Sequence, residues 1–331
     1  ETLYAIGVET LIRNNYQLRS IAGDTTTVVS FDDGALKISE AKFKELVTQL
    51  GDTFKGTIKV ELTNVKPLGP NATLDDVTNK AATDVYESAA VNHDSTKVVS
   101  NTNKSVGSIS LTSGTELQMG ADSALTLNTA KDGKLLAATS GNNTIAGDVK
   151  FTNSGTSIVL AGDGEIGSIK NGHTATTGLA TVGKADKASN VTVSGSIGET
   201  GANKGIETLI VNKGSSLDVT GSVYTNALDL RADTALTAGN GSGDVVVAQA
   251  ADIKGDLTAG TLSLGESSKI AGDAVVDVKS FVLGSTKDLT VGNADAGATI
   301  VADTFVLSGG KLVVDPEYGN AASTIVVDNI T

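Results

Sequence analysis

The chain has no cysteine, no tryptophan, one methionine, three prolines and 3% aromatic residues among its 331 positions. Without cysteine there are no disulfide staples, no thiolate metal sites and no thiol nucleophile, a usage that fits an environment where stray thiols would be oxidised. The shortage of aromatics leaves Val, Leu, Ile and Ala to build the core, which argues against large ligand pockets. Basic charge is scarce too: 25 Lys and Arg face 38 Asp and Glu, for a net charge of −13 and an isoelectric point near 4.6. Such a chain lacks the electrostatic footprint of a nucleic-acid binder, and nucleic acid is excluded as an expected partner. The longest apolar runs are four residues, as at 135–138 and 245–248, far short of the ~20 residues a membrane helix requires, so no membrane span is expected. Beginning at Glu1 rather than Met, the chain fits either a mature protein freed of a signal peptide or a boundary set by cloning.

What is present divides into two textures. Residues 1–100 mix helical and strand signals and read as a small α+β N-terminal cap domain. Residues 39–51 predict an amphipathic helix. Ser39 is placed to cap it, Phe43, Leu46, Val47 and Leu50 share one face, and Gly51 sits where a helix terminates. A capping-box-like Thr73-Leu-Asp-Asp predicts a second helix through Val77, Ala81 and Val85, and Tyr4, Val8, Leu11, Ile12 and Tyr16 form a stripe interrupted by Gly7. Residues 26–31 and 57–62 read as strands.

From residue 101 to 331 the helical signal disappears. Leu111, Met119, Leu127 and Leu135 recur at every eighth position, with Ile109, Leu117 and Leu125 in step. Leu209 and Val211 are echoed at Leu228 and Leu230, and Leu262 and Leu264 at Phe281 and Leu283, both at a spacing of 19. Imperfect self-similarity of this period predicts a solenoid of stacked coils rather than a sandwich. In units such as Leu-Xaa-Val, alternate side chains point to one face, and each coil buries that face only against its neighbour. No proline lies between Pro70 and Pro316, as an uninterrupted ladder of internal strands requires. A β-sandwich array is the competing reading, but its cores ordinarily call for Trp or several inward aromatics. Here only Phe151, Tyr224, Phe281, Phe305 and Tyr318 are available. The expected architecture is therefore mainly β: a right-handed parallel β-helix of about 11 coils at ~4.8 Å per rung.

Segments such as Leu209-Ile-Val-Asn-Lys-Gly-Ser-Ser-Leu217-Asp-Val219 and Leu228-Asp-Leu230-Arg-Ala-Asp-Thr-Ala-Leu236 resemble the coils of bacterial autotransporter passengers and filamentous-haemagglutinin-type adhesins. The resemblance spans roughly residues 105–315 and rests on texture. The composition is similar to that of bacterial surface-layer proteins: acidic, sulfur-poor, rich in Gly, Thr, Ala and Val, with 22 lysines to 3 arginines. Both resemblances imply secreted material of the bacterial cell surface. An outer-membrane barrel, which would follow a passenger, is not in this sequence.

Signals for chemistry are sparse. His93 and His173 lie in polar loops and read as solvated rather than catalytic. The chain has no zinc-binding, nucleophile-elbow or phosphate-loop pattern. Asp229, Arg231 and Asp233, spaced by two, are expected on one strand face. Paired carboxylates there could serve glycosidic cleavage, although an intervening arginine favours surface ion pairs. Asp163 and Glu165 in Ala-Gly-Asp-Gly-Glu, and Asp244 in Gly-Ser-Gly-Asp, are the calcium candidates. They resemble a Gly-Asp calcium repeat without its tandem copies. No other cofactor is expected. The residues thus point to a non-enzymatic extracellular structural or adhesive protein of a surface layer, fibre or adhesin. Its expected partners are copies of itself, neighbouring surface subunits or a host receptor. A polysaccharide-acting enzyme on the same scaffold is the alternative.

Overall fold

The computed structural model describes residues 107–111, 115–119, 122–292, 296–314 and 322–331 in full. Before these it describes the backbone of eight short strands: Gln17–Arg19, Thr26–Val28, Ser30–Asp32, Ala35–Lys37, Val60–Leu62, Tyr86–Val91, Val98–Ser100 and Lys104–Val106. The expected helices at 4–16, 39–51 and 73–85 lie outside the described residues, as does His93. The strands expected over 26–31 and 57–62 contain Thr26–Val28 and Val60–Leu62.

The chain is a parallel β-solenoid of about nine turns. Its strands stack into three ladders, one per face of each coil. The first face carries Glu116–Met119, Asp148–Phe151, Ile169–Asn171 and Asp244–Val247. The second carries Ala124–Leu127, Ser157–Leu160, Leu179–Val182, Ile206–Val211, Ala251–Ile253, Ser268–Ile270, Asp288–Val291 and Lys311–Val314. The third carries Ser108–Leu111, Leu136–Ser140, Gly164–Ile166, Asn190–Val193, Ser216–Val219 and Ala235–Ala238. Five long strands, Val223–Leu230, Asp256–Leu264, Val275–Leu283, Thr299–Leu307 and Thr324–Ile330, bend around a corner and serve two faces each. Their in–out alternation slips by one residue at the bend, so both halves still aim Val and Leu inward. The parallel pairing also takes in Tyr86–Val91 and Val60–Leu62.

This geometry explains both sequence periods. The spacing of 19 is one whole turn: Leu209 lies opposite Leu228, Val211 opposite Leu230, Leu262 opposite Phe281 and Leu264 opposite Leu283. The spacing of 8 is the step between faces within one turn, since Leu111, Met119 and Leu127 belong to three different ladders. Turn length is not constant. Val245 faces Leu262 across a short turn, whereas Leu125 faces Ile158, nearly twice as far along the chain. Extra residues go into corner loops and into the antiparallel hairpin Leu136–Ser140/Asn143–Ala146, which add length but no rung. The coils are therefore fewer than the expected 11.

Inward positions form one continuous aliphatic core from Ile109 to Phe305. Val211, Val219, Leu230, Leu264, Val278 and Leu283 are all buried. Phe281 and Phe305 occupy consecutive turns of one column and stack with ring centroids 4.6 Å apart. The corner entering the first face has its own rule. Gly147, Gly167, Gly195, Gly221, Gly243 and Gly260 fall in a single column, each followed by Asp, Ser or Thr. Adjacent backbones come so close that Gly260 N donates to Gly243 O at 2.7 Å, and a Cβ on Gly260 would lie 2.5 Å from Ser242 O. The following side chains bind the next turn: Asp148 Oδ1 accepts from Ser168 N (2.7 Å), Ser196 Oγ from Ser222 N (3.2 Å) and Ser222 Oγ from Asp244 N (3.0 Å).

Candidate functional site on the outer faces

With the interior filled by aliphatic side chains, the outward positions of the three ladders are the surface on which function must be sought. Most of the ion pairs among the described residues join neighbouring turns. Glu116 pairs with Lys150 (3.6 Å), Asp148 with Lys170 (2.6 Å), Asp233 with Lys213 (3.3 Å) and Glu266 with Lys287 (2.5 Å), and each pair joins neighbouring coils. Burial works to lower the Lys170 pKa, but the hydrogen bond and charge of Asp148, with Glu116 and Glu199 nearby, leave it raised above 10.5. Pairs this exposed contribute about 0–1 kcal/mol each.

The expected triad of Asp229, Arg231 and Asp233 does not share a strand face. The strand ends at Leu230, and Asp233 sits in the following turn with φ +58°, facing Lys213 of the previous coil. The corner after Leu230, where the chain passes from the second face to the third, breaks the period of two on which the expectation rested. Arg231 instead bridges Asp229 (Nε to Oδ2, 3.2 Å) and the buried Asn212, whose Oδ1 accepts from Nη1 at 2.6 Å. The structure adds a carboxylate that sequence reasoning missed. Asp252 lies opposite Asp229 one turn on, held by Lys254 at 2.6 Å through Oδ2, while its Oδ1 is buried with no hydrogen-bond partner. The register echo of Leu228 and Leu230 at Ala251 and Ile253 was the available signal, obscured by a longer interval than in the neighbouring coils and by the change to Ala.

The calcium candidates fall in two places. Asp163 and Glu165 lie at the start of a rung on the third face. Asp163 Oδ1 accepts from Asn190 N at 2.7 Å, and Glu165 is 3.6 Å from Lys134. Asp244 lies on the first face, in the column of corner residues several coils away. The structure thus does not bring the three together, and no group of three acidic or histidine side chains gathers among the described residues. His173 closes a local loop: its N–H donates to Asn171 Oδ1 (2.9 Å) and its Nδ1 accepts from Ala175 N (3.1 Å). No helix among the described residues is long and apolar enough to cross a membrane.

Two surface features had no sequence signal that could be read without the register. On the first face, the outward positions from Ser222 to Val306 are Ser, Tyr, Val and Thr apart from the single charge of Asp244, giving a flat, charge-poor strip across five coils. The second feature is apolar exposure: among the described residues, only Ile145 of the exposed large hydrophobics lies outside 275–330. No family model, curated protein or solved structure matches this chain.

Proposed function

We propose that this chain is a non-enzymatic, extracellular structural or adhesive component of a bacterial cell surface, acting as a rigid rod within a surface layer, fibre or adhesin passenger. The observation that carries the reading is the unbroken aliphatic core under three ladders, with most of the described ion pairs tying one coil to the next. A parallel ladder satisfied on both edges gives stiffness, and outward columns repeated at ~4.8 Å offer a regular surface for neighbouring subunits or a host receptor. The resemblance to passenger and haemagglutinin coils and the thiol-free, acidic composition support the same compartment. Surface labelling of intact cells with an antibody against this chain, combined with electron microscopy of the purified protein, is the test. Surface staining and rods are expected; signal only after lysis would refute the reading.

One observation favours a second reading, a polysaccharide-acting enzyme. Asp229 and Asp252 stand on consecutive rungs, and Asp252 keeps one oxygen unpartnered. Turnover of a polysaccharide that disappears in both Asp229→Asn and Asp252→Asn would establish the enzyme and remove the structural proposal.

A further inference from the structure

The dipeptide Asn-Gly occurs twice in the chain, at Asn171-Gly172 and at Asn240-Gly241, and the fold treats the two copies oppositely. Asparagine followed by glycine is set up for an internal reaction, because glycine has no Cβ to shield its backbone nitrogen from the preceding side-chain amide. The reaction needs that amide free to swing onto the nitrogen. Asn171 ends the strand Ile169–Asn171 and is 3% exposed. Its Nδ2 donates to the carbonyls of Ala175, Asn203 and Gly205, its Oδ1 accepts from His173 N, and Gly172 N donates to Phe151 O at 2.8 Å. Asn240 is the reverse case. It lies in the short 3-10 helix Gly239–Gly241, which has no buried residue, at φ 51° and ψ 41°. It is exposed, and its side chain has no hydrogen-bond partner among the described residues. The loop around it is anchored: Ser242 N and Oγ both donate to Gly239 O, and Gly243 N donates to Ala238 O. Asn203 separates the two requirements, being exposed at φ 58° like Asn240 but followed by Lys204.

We propose that Asn240 is a site of spontaneous conversion to aspartate and isoaspartate, and that the fold protects Asn171 from the same reaction. The backbone nitrogen of Gly241 attacks Cγ of Asn240. The new N–Cγ bond closes a succinimide ring, the Cγ–Nδ2 bond breaks, and the proton of the Gly241 N–H leaves with the departing ammonia. Water then opens the ring at either carbonyl. Opening at Cγ restores the backbone and yields aspartate; opening at the main-chain carbonyl leaves the chain running through the side chain as isoaspartate. The net change is one water taken up and one ammonia released, with no oxidant or reductant. The product adds a negative charge to a chain of net charge −13, at the corner that leads into Asp244, the single charge of the first-face strip. Bonds at Ala238 and Gly243 hold the strands on either side, so the extra backbone methylene of isoaspartate is taken up within the loop. The inference rests on the solenoid and not on the cell-surface reading.

Incubation of the full chain at physiological temperature and mildly alkaline pH, followed by tryptic peptide mapping, tests it. Mass spectrometry with electron-transfer fragmentation distinguishes isoaspartate from aspartate. The peptide 232–254, in which Asn240 is the only asparagine, should split into aspartyl and isoaspartyl forms, whereas 171–184, with Asn171 alone, should stay unconverted. Conversion of Asn240 should speed up with pH, since the attacking nitrogen must give up its proton. Unfolding in guanidinium chloride should bring Asn171 to a rate comparable with that of Asn240, because loss of the fold frees its amide. Asn203 should lag several-fold behind Asn240 in both states. Gly241→Ala should slow conversion of Asn240 several-fold. An alanine at its φ of +80° is strained in the fold, so the variant is also compared with the unaltered chain in denaturant, where folding plays no part. Conversion of Asn171 in the folded chain at the rate of Asn240, an Asn240 as inert as Asn203, or an Asn171 that stays unconverted when unfolded would each overturn the proposal.

Discussion

Replacing Gly260 by Ala tests the rule of the glycine corner. An alanine Cβ there would lie 2.5 Å from Ser242 O and 2.8 Å from Ser242 C, both backbone atoms that no rotamer change can move away. Relief requires shifting a corner that also holds the 2.7 Å bond from Gly260 N to Gly243 O. Overpacking of this kind costs about 1–3 kcal/mol, while the reduced freedom of the unfolded chain returns about 0.4–1 kcal/mol. The net expectation is a loss of about 1–2 kcal/mol. Because each coil contacts only its neighbours, the loss should be local. Hydrogen exchange followed by mass spectrometry should show faster exchange over residues 238–283 and little change before residue 160. Gly133 supplies the contrast: its φ is +76° and a Cβ there would meet nothing within 4 Å, so its cost is conformational. Asn, which tolerates the left-handed region, should be accepted better than Ala at Gly133 but not at Gly260. Native exchange rates around Gly260→Ala, or rescue of that site by Asn, would refute close backbone approach as the reason for the column.

Other perturbations probe the core, a loop and a surface pair. Leu230→Ala should cost about 2–5 kcal/mol and Leu230→Asp more, because Leu230 is wholly buried and an unpaired carboxylate would have no partner there; urea unfolding reads both. Asn171 is buried and donates to the carbonyls of Ala175, Asn203 and Gly205, so Asn171→Ala should cost about 1–3 kcal/mol and speed proteolysis within 199–205. The raised pKa of Lys170 sets a sign for pH dependence. Its pairing with Asp148 contributes stability that is fully present below the unfolded value near 10.5 and is lost as pH rises through the higher folded value. The stability difference between the native chain and Asp148→Asn should therefore stay level from neutral pH to about 9 and shrink above it; a difference that grows at high pH would contradict the pairing.

The sequence alone determined the solenoid and much of its core. Alternation of Leu and Val sets which side chains share a face, and the echo at a spacing of 19 sets the register wherever corners are tight, as between Leu262 and Phe281. Composition likewise fixed an interior of small aliphatics. Where corner loops vary in length, the echo is lost, and only the folded chain decides which rungs are neighbours. That is why the column of Gly147, Gly167, Gly195, Gly221, Gly243 and Gly260 could not be read from irregular spacings, and why Asp252 was not seen beside Asp229. The same limit applies to Asp233, whose place depended on the corner turn after Leu230. Burial, finally, belongs to tertiary structure: Leu289 and Leu312 obey the same local pattern, and Leu289 is core because the turn that carries Leu312 stacks on it.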